Sequence, residues 1–341
     1  MSKAWGSTRE FSFWIEDTDS SGGMQPERAG IGPDRSAAWG YLAGEKQFVD
    51  DAFDPRTFER IASTPGFPEV MRRYARIRLD AFAATPAPIK WLTRDLARTG
   101  LLYAALIRDG MMGGATVAGL CESAKADHTC SRGRVLAWVE GARELRLITV
   151  PAGSGVWTQR RLFLDPGLRA GAVRRLRLEC DGYAPLAPEL KWLAGLGDEG
   201  LSAYFQALAE LSATRPDIVR GADMPISRLL HTDGGAELLY HLLALQKPNQ
   251  TRLLEATTLN MTACAQDAGI SRIQIHRLLR IAEEAGLLRL EGRKTVVFTP
   301  TLLHNLAWVL IVYMQVLKIA ERVARLRTVL AQRAPRRAVS G

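Results

Sequence analysis

The sequence is poor in cysteine. Its four, Cys121, Cys130, Cys180 and Cys264, are scattered along 341 residues with no CxxC pair. That spacing argues against a disulfide scaffold and fits a reduced compartment. Cys121, His128 and Cys130 lie close in sequence but lack a fourth ligand at finger spacing, so no metal is expected. The short motifs of nucleotide and hydrolytic chemistry are missing too. "GGATVAG" is not followed by Gly-Lys-Ser/Thr, and "GSG" at 153–155 opens no helix. There is no GxSxG or HExxH, and no spaced acidic cluster that suggests magnesium. The expectation is a protein that is not an enzyme and needs no cofactor.

Long apolar runs are also missing. The most apolar stretch is "HNLAWVLIVYMQVL" at 304–317, too short to span a bilayer and suited to a buried helix. The first thirty residues contain no apolar signal core. No membrane partner is expected, and the reading is cytoplasmic and nucleoid-associated. What the chain does have is positive charge, a net +9 with a pI near 9.6. A basic balance of that size favours an anionic partner, nucleic acid above all.

Four regions follow from composition and periodicity. Residues 1–54 form a flexible or draped arm, rich early on in Gly, Ser, Asp and Pro. Residues 55–183 and 184–332 form two mainly helical units, and 333–341 a basic tail. Apolar spacing of three and four marks helices in "RTFERIA", "PEVMRRYARIRLDAFAA" and "WLTRDLARTGLLYAALIRDG". "TPAPIK" is a break, and Gly110 ends the last of these helices. Residues 115–147 read as helix, turn around Ala126–His128, helix and strand. "LRLITVPAGSGVWTQRRLFLD" then reads as a hairpin. The second unit repeats the order: helices at 190–212 and 236–246, a turn-helix unit at 251–290, the hairpin "LLRLEGRKTVVFTP" and a long helix at about 301–332.

A shift of 143 positions pairs Arg134 with Arg277, Leu136 with Leu279, Glu140 with Glu283 and Ala142 with Ala285. It also pairs Leu145–Leu147 with Leu288–Leu290, and Cys121 with Cys264. This predicts an internal duplication. In that register Arg132 matches Ile275, Gly133 matches His276, and Gly141 inside a helix costs about 1 kcal/mol relative to Ala.

The better-preserved copy is "GISRIQIHRLLRIAEEAGLLRL", 269–290. Gly269 permits a turn, Ser271 caps the next helix, and Ile275, Leu278, Leu279 and Ala282 share one face. Arg272, Gln274, His276, Arg277 and Arg280 lie largely off it, and Gly286 stops the helix. Arg can read guanine and Gln adenine in a major groove. Arg293 and Lys294 sit at the hairpin tip, placed for phosphates or the minor groove.

This layout, with Ile270, Ser271, Arg277, Leu278, Leu279, Glu283, Gly286, Leu287 and the Thr299–Pro300 entry to a long helix, resembles the winged helix-turn-helix of MarR-like transcription regulators. The resemblance implies a fold that is mainly α with small β-hairpin wings, in tandem winged helix-turn-helix domains. It implies a sequence-specific regulator of double-stranded DNA, using helix 271–285 and wing 291–294. Family members pair as homodimers, so a tandem chain would act as a monomeric pseudo-dimer or dimerise again. A second, degenerate head at 128–161 would contribute Arg132, Arg134, Arg160 and Arg161. No small-molecule effector is marked in the sequence. The alternatives are a plasmid-type replication initiator with two winged helices and a winged-helix protein-interaction module.

Overall fold

The computed structural model describes residues 43–111, 114–126, 129–152, 156–215, 218, 224–246, 256–292 and 295–333. The arm before residue 43, the basic tail, His128, Arg293 and Lys294 lie outside the described residues. Among the described residues the chain is mainly helical with two small antiparallel sheets, each of three strands.

The described chain begins with a short 3-10 turn and helices α1 (Lys46–Ala52) and α2 (Pro55–Ala62). Asp54 caps α2 by accepting from Arg56 N at 2.7 Å, with Pro55 in the first turn. The first half continues with α3 (Phe67–Ala84), α4 (Ala87–Leu92), α5 (Leu96–Met111), β1 (Ala115–Thr116), α6 (Val117–Ala126), α7 (Arg132–Glu144), β2 (Ile148–Thr149), β3 (Arg161–Leu164) and α8 (Pro166–Tyr183). After α9 (Leu190–Gly195) the order returns: α10 (Asp198–Thr214), α11 (Pro225–Leu230), α12 (Gly235–Ala244), β4 (Ala256–Thr258), α13 (Met261–Ala268), α14 (Arg272–Glu284), β5 (Leu288–Glu291), β6 (Thr295–Phe298) and α15 (Pro300–Arg333). Strand order is β1-β3-β2 in one sheet and β4-β6-β5 in the other.

Several details differ from the sequence reading. "TPAPIK" is only partly a break, because Ala87–Leu92 forms a helical turn and a half. The helix read through 91–110 is split at Thr93–Asp95, where the Asp95 carboxylate accepts from Arg98 N at 2.9 Å. Gly110 lies inside α5 rather than ending it. Strands β1 and β4, two and three residues long, were not legible as alternation.

The two halves exchange packing partners. Helix α3 of the first half lies against α12 of the second, and α10 of the second lies against α5 of the first. Within each half the same long helices pair, α3 with α8 and α10 with α15. The apolar residues on both sides of the 183–184 boundary join one continuous core. A second repeat accompanies this exchange. Pro88, Ile89, Leu92, Leu101, Leu102, Tyr103 and Leu106 recur, at a shift of 137, as Pro225, Ile226, Leu229, Leu238, Leu239, Tyr240 and Leu243. Their four apolar α5 and α12 positions are buried in both copies: Leu101, Leu102, Ala105 and Leu106, then Leu238, Leu239, Leu242 and Leu243.

A buried carboxylate ties α3 to α8 within the first half. Glu179, 2 % exposed, accepts from Arg78 Nη1 at 2.7 Å and from Arg175 Nε at 2.9 Å. Arg78 lies over the Tyr240 ring at 5.6 Å and Arg175 over the Tyr103 ring at 5.5 Å, so the two matching tyrosines flank the same ion cluster. Tyr74 stacks near Tyr183 and Tyr240, at 4.8 and 5.9 Å between centroids. Burial pushes the phenols of Tyr74, Tyr183 and Tyr204 well above their ordinary value, so they stay neutral beside Glu179.

Helix α15 is, among the described residues, the one helix long and apolar enough to cross a membrane by length and composition. Its apolar window is mostly buried against α10, α9 and α2 of the same chain. Gln315 Nε2 donates to Ala52 O at 2.9 Å and Arg322 pairs with Glu45 at 3.0 Å, tying the first helices to it.

Replacing Glu179 with Ala would leave two arginines facing each other in the core. The expected loss is about 3–5 kcal/mol of unfolding free energy. Urea unfolding of the full chain checks this, and an unchanged midpoint would contradict the clamp.

Candidate nucleic-acid interface

Helix α14 is held from three sides. Its face of Ile275, Leu278, Leu279 and Ala282 is fully buried, against α11, α12 and α13. Ser271 Oγ accepts from Gln274 N at 3.1 Å and caps the first turn. Gly269 ends α13 in the left-handed region, at φ 61°. At the far end Glu283 Oε1 accepts from Leu290 N at 3.0 Å, locking the helix to β5.

That anchoring leaves Arg272, Ile273, His276, Arg277 and Arg280 exposed. Arg280 pairs with Glu284 at 3.6 Å in an open surface contact, which is worth little. Ile273 is 83 % exposed, an unusual position for an isoleucine beside a helix cap. The cations and the N-terminal end of α14 together make a positive surface. Gln274 behaves differently from its exposed neighbours. It is half-buried, and its Nε2 donates to the Asp233 carbonyl at 3.1 Å. Ile273, absent from the sequence-level set, was detectable there as an apolar residue off the buried face.

The two copies align in a register different from 143. Ser131 caps α7 as Ser271 caps α14, accepting from Arg134 N at 3.4 Å. Val135, Trp138, Val139 and Ala142 are the buried set of α7. Each lies 140 positions before its counterpart Ile275, Leu278, Leu279 or Ala282. Backbone bonds agree: Leu147 N donates to Ala142 O and Leu287 N to Ala282 O, both at 2.9 Å. The identities at 143 therefore pair positions three residues out of phase. Cys121 and Cys264 are likewise not equivalent, for Cys264 is buried and Cys121 is half-exposed.

The corrected register changes the comparison. Arg132 matches Arg272, and Arg134 matches Gln274. Leu136, Ala137 and Glu140 stand where the second copy has His276, Arg277 and Arg280. The outer face of α7 has therefore lost three of the basic or imidazole side chains of α14. Arg132 is exposed, but Arg134 Nη2 is held by Asp95 Oδ2 at 2.8 Å. Arg160 is half-buried, and Arg161 pairs with Asp109 at 3.5 Å on the outer face of β3. The glycine in α7 also has a reason. A Cβ on Gly141 would meet Trp91 Cη2 at 2.3 Å, so the indole occupies the space a side chain would need.

A polar chain joins the starts of α7 and α14. Arg134 binds Asp95, and its neighbour Arg94 faces Asp233 Oδ1 at 3.2 Å. Arg94 Nη2 also donates to Gly269 O at 2.8 Å, while Gly234 N donates to Arg94 O at 3.2 Å. Gln274, bonded to Asp233, completes the link. Arg94 was missed in the sequence because its partners lie far along the chain.

Behind α14, Glu237 on α12 is 6 % exposed, and its Oε2 has no hydrogen-bond partner. Burial pushes its carboxyl up to about 7, against the partial relief of its own backbone N–H and Arg78. On the same helix His241 Nδ1 lies 2.9 Å from Asp267 Oδ2, and burial lowers its pKa. Among the described residues no three His, Cys, Asp or Glu side chains gather as a metal site.

Two outcomes test this arrangement. Gly286 and Arg146 occupy the same position after α14 and α7, with φ of 68° and 59°. Only backbone conformation matters at Gly286, where a Cβ meets nothing within 4 Å. Gly286→Ala should cost about 1 kcal/mol, and Arg146→Gly should cost nothing in thermal unfolding. A large loss from Arg146→Gly would break the equivalence. Glu237 has its folded pKa above its unfolded one, so its contribution is fully present below about pH 4.5 and lost as pH rises through about 7. Glu237→Gln should therefore gain up to about 3 kcal/mol over the native chain between pH 5 and 8, read from denaturant midpoints. A gap that stays constant with pH would show that Glu237 does not titrate as described.

No protein-family model matches the chain, and comparisons with curated proteins and with solved structures return no match.

Proposed function

We propose that the chain is a sequence-specific duplex-DNA-binding transcription regulator, with two winged helix-turn-helix units in tandem. The observation that carries this reading is α14: a capped helix, buried along one stripe, that exposes Arg272, Ile273, His276, Arg277 and Arg280. In a major groove Arg277 or Arg272 can make paired hydrogen bonds to guanine, and Ile273 can lie on a thymine methyl. Arg280 and His276 suit phosphates at the groove edge. Gln274 is given a positioning role, because its amide nitrogen already holds Asp233. The shared strand order of the two sheets supports the winged-helix reading of both units. The exchanged packing of α3 and α10 supports a pseudo-dimer within one chain.

The first unit would then contact DNA more weakly. Arg132 is the exposed cation of α7 that matches one in α14, and the remaining matched positions are neutral or acidic. One observation favours a second reading, a replication initiator. Unequal heads in one chain suit asymmetric sites repeated in one direction better than palindromes, which call for equal heads.

Arg277→Ala should weaken specific duplex binding by about 1–3 kcal/mol and lower the salt dependence of what remains. A gel shift at moderate salt checks it, and unchanged affinity would sink the assignment of α14. Mapping of bound genomic sites separates promoters from directly repeated origin elements.

A further inference from the structure

The first wing departs from the second in a direction that loss of function does not explain. Residues 150–160 join β2 to β3, whereas only 292–294 join β5 to β6. Within this longer connection Val156 and Trp157 are exposed, Trp157 at 42 %. Phe163 on β3 is 48 % exposed. Its ring stands on the outer face of the sheet, because the strand alternates Arg161 out, Leu162 in and Phe163 out. The lateral neighbours leave the ring uncovered. Thr149 pairs with Phe163 on β2, and on the β1 side the register continues to Gly114. One group does cover it: the Arg161 guanidinium, which also faces Asp109 at 3.5 Å across an exposed pair, lies 5.3 Å from the ring centroid.

The second connection, 292–294, contains no aromatic residue. The positions matching Arg161 and Phe163 are Thr295 and Val297, and both are half-buried. So the unit whose helix has fewer basic side chains carries exposed aromatic rings, one of them with an arginine at its face. An exposed ring with a cation at its face suits a flat, electron-rich ligand that carries negative charge nearby. An unpaired nucleotide has both a base to stack and a phosphate for the guanidinium. A duplex hides its base faces and cannot use the rings.

We propose that the wing surface of Trp157, Arg161 and Phe163 is a binding site for single-stranded DNA. The site rests on the reading of this chain as a DNA-binding protein, and it takes the unpaired strand while α14 takes duplex.

The test is fluorescence anisotropy of the full chain with a labelled thymidine oligomer of about 15 nucleotides, alongside a labelled duplex. Phe163→Ala and Trp157→Ala should each weaken oligomer binding roughly 5- to 150-fold, the range for losing one stacked base. Duplex affinity should change less than about twofold, and Phe163→Tyr should restore oligomer binding. Because both rings are exposed, the unfolding midpoint should not move. Unchanged oligomer affinity in Phe163→Ala overturns the site, as does an equal loss on duplex. A uridine RNA oligomer that binds as tightly as the DNA overturns the choice of DNA. Arg277→Ala gives the opposite pattern, losing duplex and keeping the oligomer. A chain that binds the oligomer but no duplex overturns the function of α14 and leaves the wing site standing. One that binds duplex but not the oligomer does the reverse.

Discussion

A carboxylate removed from water needs cations close by, and Glu179 has two. Arg78 comes from α3 and Arg175 from its own helix, α8. Each arginine also lies over a tyrosine, one from α5 and one from α12. These tyrosines occupy matching positions in the two halves, and Tyr240, under Arg78, is the point at which the cluster meets the second half. Apolar packing alone is tolerant of small slips between helices. A buried ion pair is less tolerant, because a slip strands a charge. The exchanged helices α3 and α10 pack against α12 and α5 across the halves, and the Glu179 ion pairs fix α3 against α8 within the first half.

Fixing the halves fixes the surfaces they carry. The starts of α7 and α14 are linked through Arg134, Asp95, Arg94, Asp233 and Gln274. Arg94 reaches from the first half to the carbonyl of Gly269, the turn residue of the second. The orientation of α14 is thus set by the neighbouring half as well as by its own. DNA that engages both units would have to meet a spacing already built into the protein, with bending as the remaining freedom.

Much of α14 was legible in sequence because each of its features is local. The Ser271 cap, the apolar spacing from Ile275 to Ala282 and the glycine stop are read within a dozen residues. The long final helix and the order of the hairpins were legible for the same reason. The register of the repeat was not. Exposed charged residues can recur by chance, and Arg134, Glu140 and Arg146 gave matches at 143 that carry no structural meaning. The true correspondence runs through unlike residues of similar burial: Val135 with Ile275, Trp138 with Leu278, Arg146 with Gly286. The 137-shift repeat of Leu-Leu-Tyr is present in the sequence but lies on core helices, away from the turn-helix units. Strands β1 and β4 are too short to show a period of two. Glu179, Arg94 and Asp95 act across distances in sequence that no local pattern reveals.

The departures from symmetry follow from these constraints. Positions facing the shared core keep their burial in both copies, because a change there strains both halves. Positions facing outward are free to diverge, and they have. The α7 face has Leu136, Ala137 and Glu140 where α14 has His276, Arg277 and Arg280, and Trp91 fills the space above Gly141. The connection between β5 and β6 is short, while that between β2 and β3 is longer, and Trp157, Arg161 and Phe163 are exposed there. A pair of separate identical subunits could not do this, since any change would appear on both. Joining the two units in one chain lets one outer surface differ from the other while the continuous apolar core keeps the body shared.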